Sequence, residues 1–320
     1  MNTTASRLLP NVTLRQLQIF ETVVRLGGVT RAAEALNLSQ PTVSMQIKKL
    51  SETLDLPLLE NAGRKVHATA AGREVYSTAQ EILDSFAALG DLADELRGEV
   101  RGEIRIAVIT TAAYFMPRLL GAFVEEHQKV RPRLTITNRA EVLERLRSNQ
   151  DDLLIMGQVP DELAVKAYPF MDNEMLVVAP RGHPLAGQRK ITLETLAQER
   201  FLVREPGSGT RQAVDRLLAE KGLKPTPYMV LGNAEAIKQG VMAGLGISVL
   251  SRRILELELR SRQIEILDVE GFPLIRRWYA VHLRGKKLSL AARSFLAFLL
   301  VESQTILADE KHRRANVSQA

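Results

Sequence analysis

Leu38-Ser39-Gln40-Pro41-Thr42-Val43-Ser44-Met45-Gln46-Ile47-Lys48-Lys49-Leu50 is the stretch on which the reading of this chain turns. Asn37 to Gln40 reads as a four-residue turn. Pro41 follows at the first turn of a helix, where its missing N–H costs little. Val43, Ile47, Leu50 and Leu54 step by 4, 3 and 4, which makes one buried helical face. The opposite face holds Pro41, Met45, Lys48 and Glu52, flanked by Ser44 and Lys49. Upstream, Leu14, Leu17, Phe20 and Val24 space as the face of a helix that Gly27-Gly28 ends. Thr30 is the expected N-cap of a short helix to Leu36, whose Ala32 and Ala33 let another helix cross closely.

That order is the helix-turn-helix layout, and the exposed face of its last helix suits a major groove. Gln40 has the paired donor and acceptor that read adenine, and Ser44 can bond a base or a phosphate. Lys48 and Lys49 suit phosphates, which position rather than specify. Leu58 to Thr69 reads as a hairpin turning at Ala62-Gly63, with Arg64 and Lys65 at its tip, a basic wing. The expected DNA-facing set is Gln40, Pro41, Thr42, Ser44, Met45, Lys48, Lys49, Arg64 and Lys65. The plainer alternative is a three-helix core with a solvated charged face.

Charge changes sharply after this block. Residues 1–73 hold nine Lys/Arg and five Asp/Glu (+4), whereas residues 74–97 hold one and six (−5). Within the acidic stretch, Val75, Ala79, Ile82, Phe86, Leu89, Ala93 and Leu96 step by 4, 3, 4, 3, 4, 3, the seam of a coiled coil. Gly90 weakens that helix by about 1 kcal/mol relative to alanine. A long helix with one narrow apolar stripe wants a partner, and a homodimer would set two recognition helices on a two-fold site. Alternatively, the stripe packs on its own chain.

The 320 residues carry a net charge of +6, 45% apolar residues and no cysteine, which excludes disulfides, thiolate metal sites and a cysteine nucleophile. The N-terminus has no secretory h-region, and the longest apolar run, Phe295 to Val301, is short of a membrane span. The expectation is a cytoplasmic protein without a membrane partner. Walker A, H-E-x-x-H and G-x-S-x-G sequences are absent, the five histidines are scattered, and no enzyme is expected.

From Glu103 apolar strands alternate with helices: Ile104–Ile109, Leu134–Thr137, Leu153–Gly157, Met175–Ala179, Phe201–Val203, Gly246–Leu250 and Trp278–His282, with a closing helix from Ala291 to about Ile306. Alternation of this kind predicts parallel, doubly wound sheets in two similar halves. Ligands then bind at strand C-termini beside helix N-termini. Thr110-Thr111 and Gly207-Ser208-Gly209-Thr210 are two such places, with Arg139, Arg204 and Arg211 as nearby cations. Plain capping and turn chemistry would explain the same residues.

The runs Leu14–Phe20, Thr30–Leu36, Leu38–Ser44 and Ile47–Leu50 resemble the LysR-type transcriptional regulators, and the order of parts matches over roughly residues 13–307. Asp151–Gly157, Arg204–Arg211, Asn233–Ser251, Glu270–Pro273 and Arg276–Tyr279 are similar to the Calvin-cycle operon regulators, the CbbR group. The resemblance implies a winged helix-turn-helix over residues 13–71, a dimerising linker helix over 72–98 and an α/β periplasmic-binding-protein-like effector domain over 99–310. Lobe I would take about 99–173 and 276–310, lobe II about 174–275, with crossings near Asn173–Leu176 and Leu274–Tyr279. Residues 311–320 would be a frayed tail. Implied partners are double-stranded DNA, RNA polymerase, a second copy of the chain (as a dimer or a dimer of dimers) and a small anionic effector such as a sugar phosphate or NADPH. No bound cofactor is expected. The implied effector set is Thr110, Thr111, Asn138, Gly157, Arg204, Ser208, Thr210 and Asn233. Three departures stand out. Met45 replaces a frequent arginine, Leu59 and Asn61 replace phenylalanine and arginine near the wing, and Ala113 replaces a frequent lysine of the CbbR group.

Overall fold

The computed structural model describes residues 11–62, 65–96 and 99–317. The chain divides into two compact units, 1–97 and 98–320.

In the first unit, α1 (Leu14–Leu26) begins at a reciprocal capping box. Thr13 Oγ1 accepts from the Gln16 amide at 3.2 Å, and Gln16 Oε1 accepts from the Thr13 amide at 2.9 Å. Gly27 ends the helix in the left-handed region, at φ 64°. The next helix, α2 (Val29–Leu36), is capped by Gly28 rather than Thr30. Gly27 completes its turn so tightly that helical backbone resumes at Val29, which leaves Thr30 one residue inside. α3 (Gln40–Leu54) likewise takes in a residue expected in the preceding turn: Ser39 is its N-cap and Gln40 its first helical residue. Val43, Ile47 and Leu50 are buried as expected and Leu54 is half-buried. Phe20, Leu50 and Leu58 share one core cluster, and Val23, Ala32 and Val43 another. Each large side chain so buried contributes about 1.5–3 kcal/mol.

The wing is β1 (Leu59–Ala62) paired antiparallel with β2 (Lys65–Ala68). Ala62 is a strand residue opposite Lys65 rather than part of the turn. Gly63 and Arg64 lie outside the described residues. α4 (Ala70–Leu96) follows directly. The Thr69 hydroxyl donates to the Pro57 carbonyl at 2.6 Å and accepts from the Gly72 amide at 2.9 Å, tying the first turn of α4 to the base of the wing.

The second unit contains β3 (Gly102–Ile109), a 3-10 turn (Thr110–Tyr114), α5 (Met116–Glu126), β4 (Val130–Thr137), α6 (Arg139–Arg147), β5 (Leu153–Met156) and the long β6 (Val165–Pro180). Then come α7 (Leu193–Leu196), β7 (Leu202–Arg204), α8 (Gly209–Glu220), β8 (Met229–Leu231), α9 (Ala234–Met242) and β9 (Ser248–Ser251). A 3-10 turn (Arg252–Ile254), α10 (Glu256–Arg260), β10 (Ile264–Ile266), β11 (Leu274–Leu283) and α11 (Leu290–Val317) complete it. The expected parallel doubly wound sheet is only part of the arrangement. β3 pairs parallel with β4 and β5, but β6 and β11 run antiparallel to each other, and β9, β10 and β5 join them antiparallel. The strand alternation was legible; the direction of the two long strands is set by tertiary pairing.

β6 and β11 serve two separate cores. Phe170, Met171 and Trp278 pack with Phe115, Phe123 and Phe295, while Met175 and Leu274 pack with Phe201 and Ile247. The exchange falls where Arg276 pairs with Asn173. This makes two lobes joined by two strands. α11 continues through residues expected to fray, to Val317. Its Leu290–Leu307 segment has the length and composition of a membrane span. Phe295 and Leu299 are nevertheless fully buried in the first core, which is the behaviour of a packed core helix.

Candidate DNA-binding face and effector cleft

On α3, Gln40, Pro41, Ser44, Met45, Lys48 and Lys49 are exposed, opposite the buried face. Thr42 differs. Its hydroxyl sits 2.8 Å from that of Ser39, whose oxygen also accepts the Thr42 amide at 3.3 Å, so this side chain is part of the cap. Met45 presents an apolar surface, 58% exposed, in the middle of a polar face. Lys48 meets Glu52 at 3.8 Å with both side chains largely in solvent, a pairing worth little and easily exchanged for a phosphate. Lys65 opens β2 beside the undescribed Arg64. Arg31, exposed in the first turn of α2 with its Nη2 donating to the Gly27 carbonyl at 3.2 Å, is a cation that went unremarked in the sequence.

The apolar seam of α4 is divided. Ala79 is 1% exposed and packs with Leu17, Phe20 and Tyr76, and Val75 lies against the same cluster. These two residues belong to the module's own core, because the first turns of α4 lie along α1. Further on, Ile82, Phe86, Leu89, Ala93 and Leu96 are exposed, joined by Leu92. Heptad spacing found the stripe but did not tell which end was already covered.

In the second unit, a cavity of about 30 Å³ lies between the lobes. Thr110, Thr111 and Gly157 line it from one side, and Arg204, Ser208 and Thr210 from the other. Asn173, Arg276 and Trp278 of the crossing strands also line it, as does Arg139. Thr110 and Thr111 belong to a 3-10 turn and cap no helix. Ser208 precedes α8 without a side-chain cap bond, so its hydroxyl has no helix to satisfy. An outer chamber of about 650 Å³ shares Arg139, Gln158, Glu205 and Ser208 with the inner cavity, and Asn138 lines it. Asn138 Oδ1 already accepts the Glu141 amide as the cap of α6. Asn233 is an exposed cap of α9, accepting the Ala236 amide at 2.8 Å, and lines neither space.

The cations of the cleft are not equivalent. Arg204 is buried and its fork is filled, with Nε and Nη2 on the two Glu205 carboxylate oxygens at 2.7 and 2.8 Å. Arg276 donates to the Gly209 carbonyl at 2.6 Å, and Arg139 to the Gln158 carbonyl at 2.7 Å. Neither forms an ion pair with a carboxylate among the described residues. Burial pulls the Arg276 guanidinium down, and Arg139 and Arg216 add repulsion. Burial also pulls Arg139 down, against Glu162 and Asp161. Two half-buried guanidiniums that repel each other make a place for an anion. Arg276 was missing from the expected set because only the β6–β11 pairing brings it beside the Ser208 turn.

The lobes also touch through Tyr114, whose hydroxyl donates to Glu235 Oε2 at 2.5 Å. The same carboxylate meets the buried Lys238 ammonium at 2.9 Å, and Lys238 meets Glu258 at 2.7 Å. The Tyr114 hydrogen bond does most to hold Glu235 down, to about 2. Burial, then Glu235, pushes Tyr114 up to about 12. For Glu235 a lowered folded value stabilises above the ordinary carboxylate range and is lost as pH falls toward 2. Tyr114→Phe is expected to move that acid limb of the unfolding profile upward in pH; an unchanged limb would show that the hydroxyl does not hold the carboxylate.

Residues 14–73 match the family model "Bacterial regulatory helix-turn-helix protein, lysR family", and residues 97–303 match "LysR substrate binding domain". The chain belongs to the LysR family. It is a LysR-type transcriptional regulator, with a DNA-binding module and a two-lobed effector domain. Among curated relatives, the RuBisCO operon transcriptional regulator of Allochromatium vinosum is 47% identical over 92% of this chain and 97% of its own length. The transcriptional activator CmpR of Synechocystis is 42% identical over 93% and 98%. The regulatory domain of Synechocystis PCC6803 CcmR, solved in complex with 2-PG, is 42% identical with a TM-score of 0.61, covering 63% of this chain and 98% of that one. Full-length OxyR from Pseudomonas aeruginosa shares the fold, with a TM-score of 0.74 at 23% identity over 90% and 98% of the two chains.

Proposed function

We propose that this LysR-type protein controls carbon-fixation genes of the RuBisCO and Calvin-cycle type in response to a small phosphorylated anion. The regulator works in the cytoplasm as a homodimer or dimer of dimers, engages RNA polymerase and catalyses no reaction of its own. Its lobes meet at the crossing strands, 99–173 with 276–310 against 174–275. The gene class is supported by kinship with the RuBisCO operon regulators. The effector class is carried by one observation: Arg139 and Arg276 converge on the cleft without a carboxylate partner. The 2-PG complex of the CcmR domain supports the same chemistry. Thr110, Thr111, Gly157, Ser208 and Thr210 complete the shell, Arg204 holds the turn in shape through Glu205, and a sugar phosphate or NADPH extends into the outer chamber.

Titrating the full-length protein with 2-PG tests the effector reading. Arg276→Ala is expected to weaken binding roughly tenfold to a hundredfold, the loss of one charge-assisted hydrogen bond. Equal affinity in the variant would remove Arg276 from the site. On the DNA side, Gln40→Ala is expected to cost about 1–3 kcal/mol and to relax the preference at one base pair, while Lys48→Ala weakens all sequences alike and lowers the salt slope by about 1. Competition binding with single-base operator variants, repeated across salt concentrations, separates the two. An intact preference in Gln40→Ala would end its base-reading role.

A further inference from the structure

Strand alternation sends neighbouring residues of β6 to opposite faces. Asn173 lines the effector cleft, whereas Asp172 and Glu174 line a second cavity of about 430 Å³. Its walls come from both lobes. Met171, with Gln304 and Leu307 of α11, belongs to one; Arg252, Arg253 and the α10 residues Glu256, Leu259 and Arg260 belong to the other. The volume is in the range of small-molecule pockets.

Its lining carries three arginines and three carboxylates, so it is neutral in number, but the pairing inside it is incomplete. Glu174 is taken by Arg252 at 3.2 Å, and Asp172 faces Arg277 at 3.8 Å. That leaves Arg253 and Arg260 beside Glu256, with neither guanidinium in an ion pair among the described residues. Arg253 is the telling residue. It is only partly exposed, and among the described residues its guanidinium has neither a hydrogen-bond acceptor nor an ion pair. Burial lowers it, with Arg118 and Arg252 adding repulsion against Glu256 and Glu174. A partly buried guanidinium without an acceptor is costly to leave unmade. Around it Met171, Leu259 and Leu307 offer apolar surface.

We infer that this cavity behind the crossing strands is a second ligand site, distinct from the effector cleft, which takes a small monocarboxylate with an apolar body. The carboxylate completes the Arg253 fork and the body lies on Met171, Leu259 and Leu307. A single unfilled fork among three carboxylates favours a monoanion over the polyanions suited to the Arg139–Arg276 pair.

The test uses the full-length protein and hexanoate as the probe, with 1-hexanol as its uncharged counterpart. Hexanoate is expected to bind by calorimetry and to slow hydrogen exchange over residues 252–260 and 300–307, while 1-hexanol binds at least tenfold more weakly. Arg253→Ala is expected to lower hexanoate affinity at least tenfold; Arg276→Ala, in the cleft, leaves it unchanged. Leu259→Trp fills the cavity without touching the charge and should block hexanoate too, which keeps the inference testable if Arg253→Ala does not fold. No hexanoate binding, equal binding of 1-hexanol, or loss in Arg276→Ala but not in Arg253→Ala would overturn it. The 2-PG titration is read separately, so failure of the cleft proposal and failure of this one cannot be confused.

Discussion

Phe86→Asp combined with Leu89→Asp is expected to leave the winged module folded and to weaken operator binding by about 100-fold to 10,000-fold. Both side chains are on the exposed part of α4, at 58% and 61% accessibility, so charge there disturbs nothing within the described chain. In a dimer the same positions lie in the seam, where two aspartates per helix would be desolvated against their twins. The large effect on DNA comes from linkage. When two recognition helices are joined, the second binds at an effective concentration set by the joint, and losing the joint forfeits an avidity of about 10²–10⁴. Light scattering with fluorescence anisotropy on an operator fragment measures both quantities. A variant that remains dimeric, or that becomes monomeric with undiminished affinity, would refute the role assigned to this stripe. Ala79→Asp is the contrasting substitution: that site is sealed inside the module, so unfolding, not dissociation, is the expected result.

The second large effect concerns Gly72. A Cβ built there would lie 2.0 Å from the Leu58 carbonyl oxygen and 3.2 Å from Thr69 Oγ1. The obstacle is backbone, so it cannot swing aside. Gly72→Ala is expected to cost about 1–3 kcal/mol, as overpacking does, despite replacing glycine by the best helix former. Gly90, in the same helix, has nothing within 4 Å. Gly90→Ala is therefore expected to gain up to about 1 kcal/mol. Thermal unfolding of the two variants side by side decides the matter. A stable Gly72→Ala would mean that α4 does not abut the wing as described.

These two glycines mark how far the sequence could be read. Only Gly90 stands out there, as a helix-weakening residue; tertiary contact shows that Gly72 is the indispensable one. Local signals were legible where the physics is local: Pro41 in the first turn of α3, and the 4-3-4 spacing of Val43, Ile47, Leu50 and Leu54; the Thr13–Gln16 capping box is equally local but went unread. Val165–Asn173 was not legible as strand, because its apolar content is broken by Lys166, Pro169 and Asp172 and its stability comes from pairing with β11. The cleft was half-legible. Thr110, Thr111, Ser208 and Thr210 follow from strand ends and helix starts, whereas Arg276 and the Tyr114–Glu235 contact join residues far apart in the chain. Arg204 looked like a free cation until Glu205 was seen to occupy it.

The sharing of β6 and β11 between two cores restricts how this domain can vary. The β6–β11 register shifts once, where Trp278 pairs with Met171 and Tyr279 with Pro169; beyond that point side chains alternate, so inserting or deleting one residue between Met171 and Asn173 would turn every following side chain of β6 to the wrong face. Met175 and Val177 would leave their core, and the cleft would lose Asn173, all from one event. Beyond Met171, length variation is therefore confined to the loops, or to two-residue steps matched on both strands. The crossing acts as a ruler against which the rest of the domain is aligned.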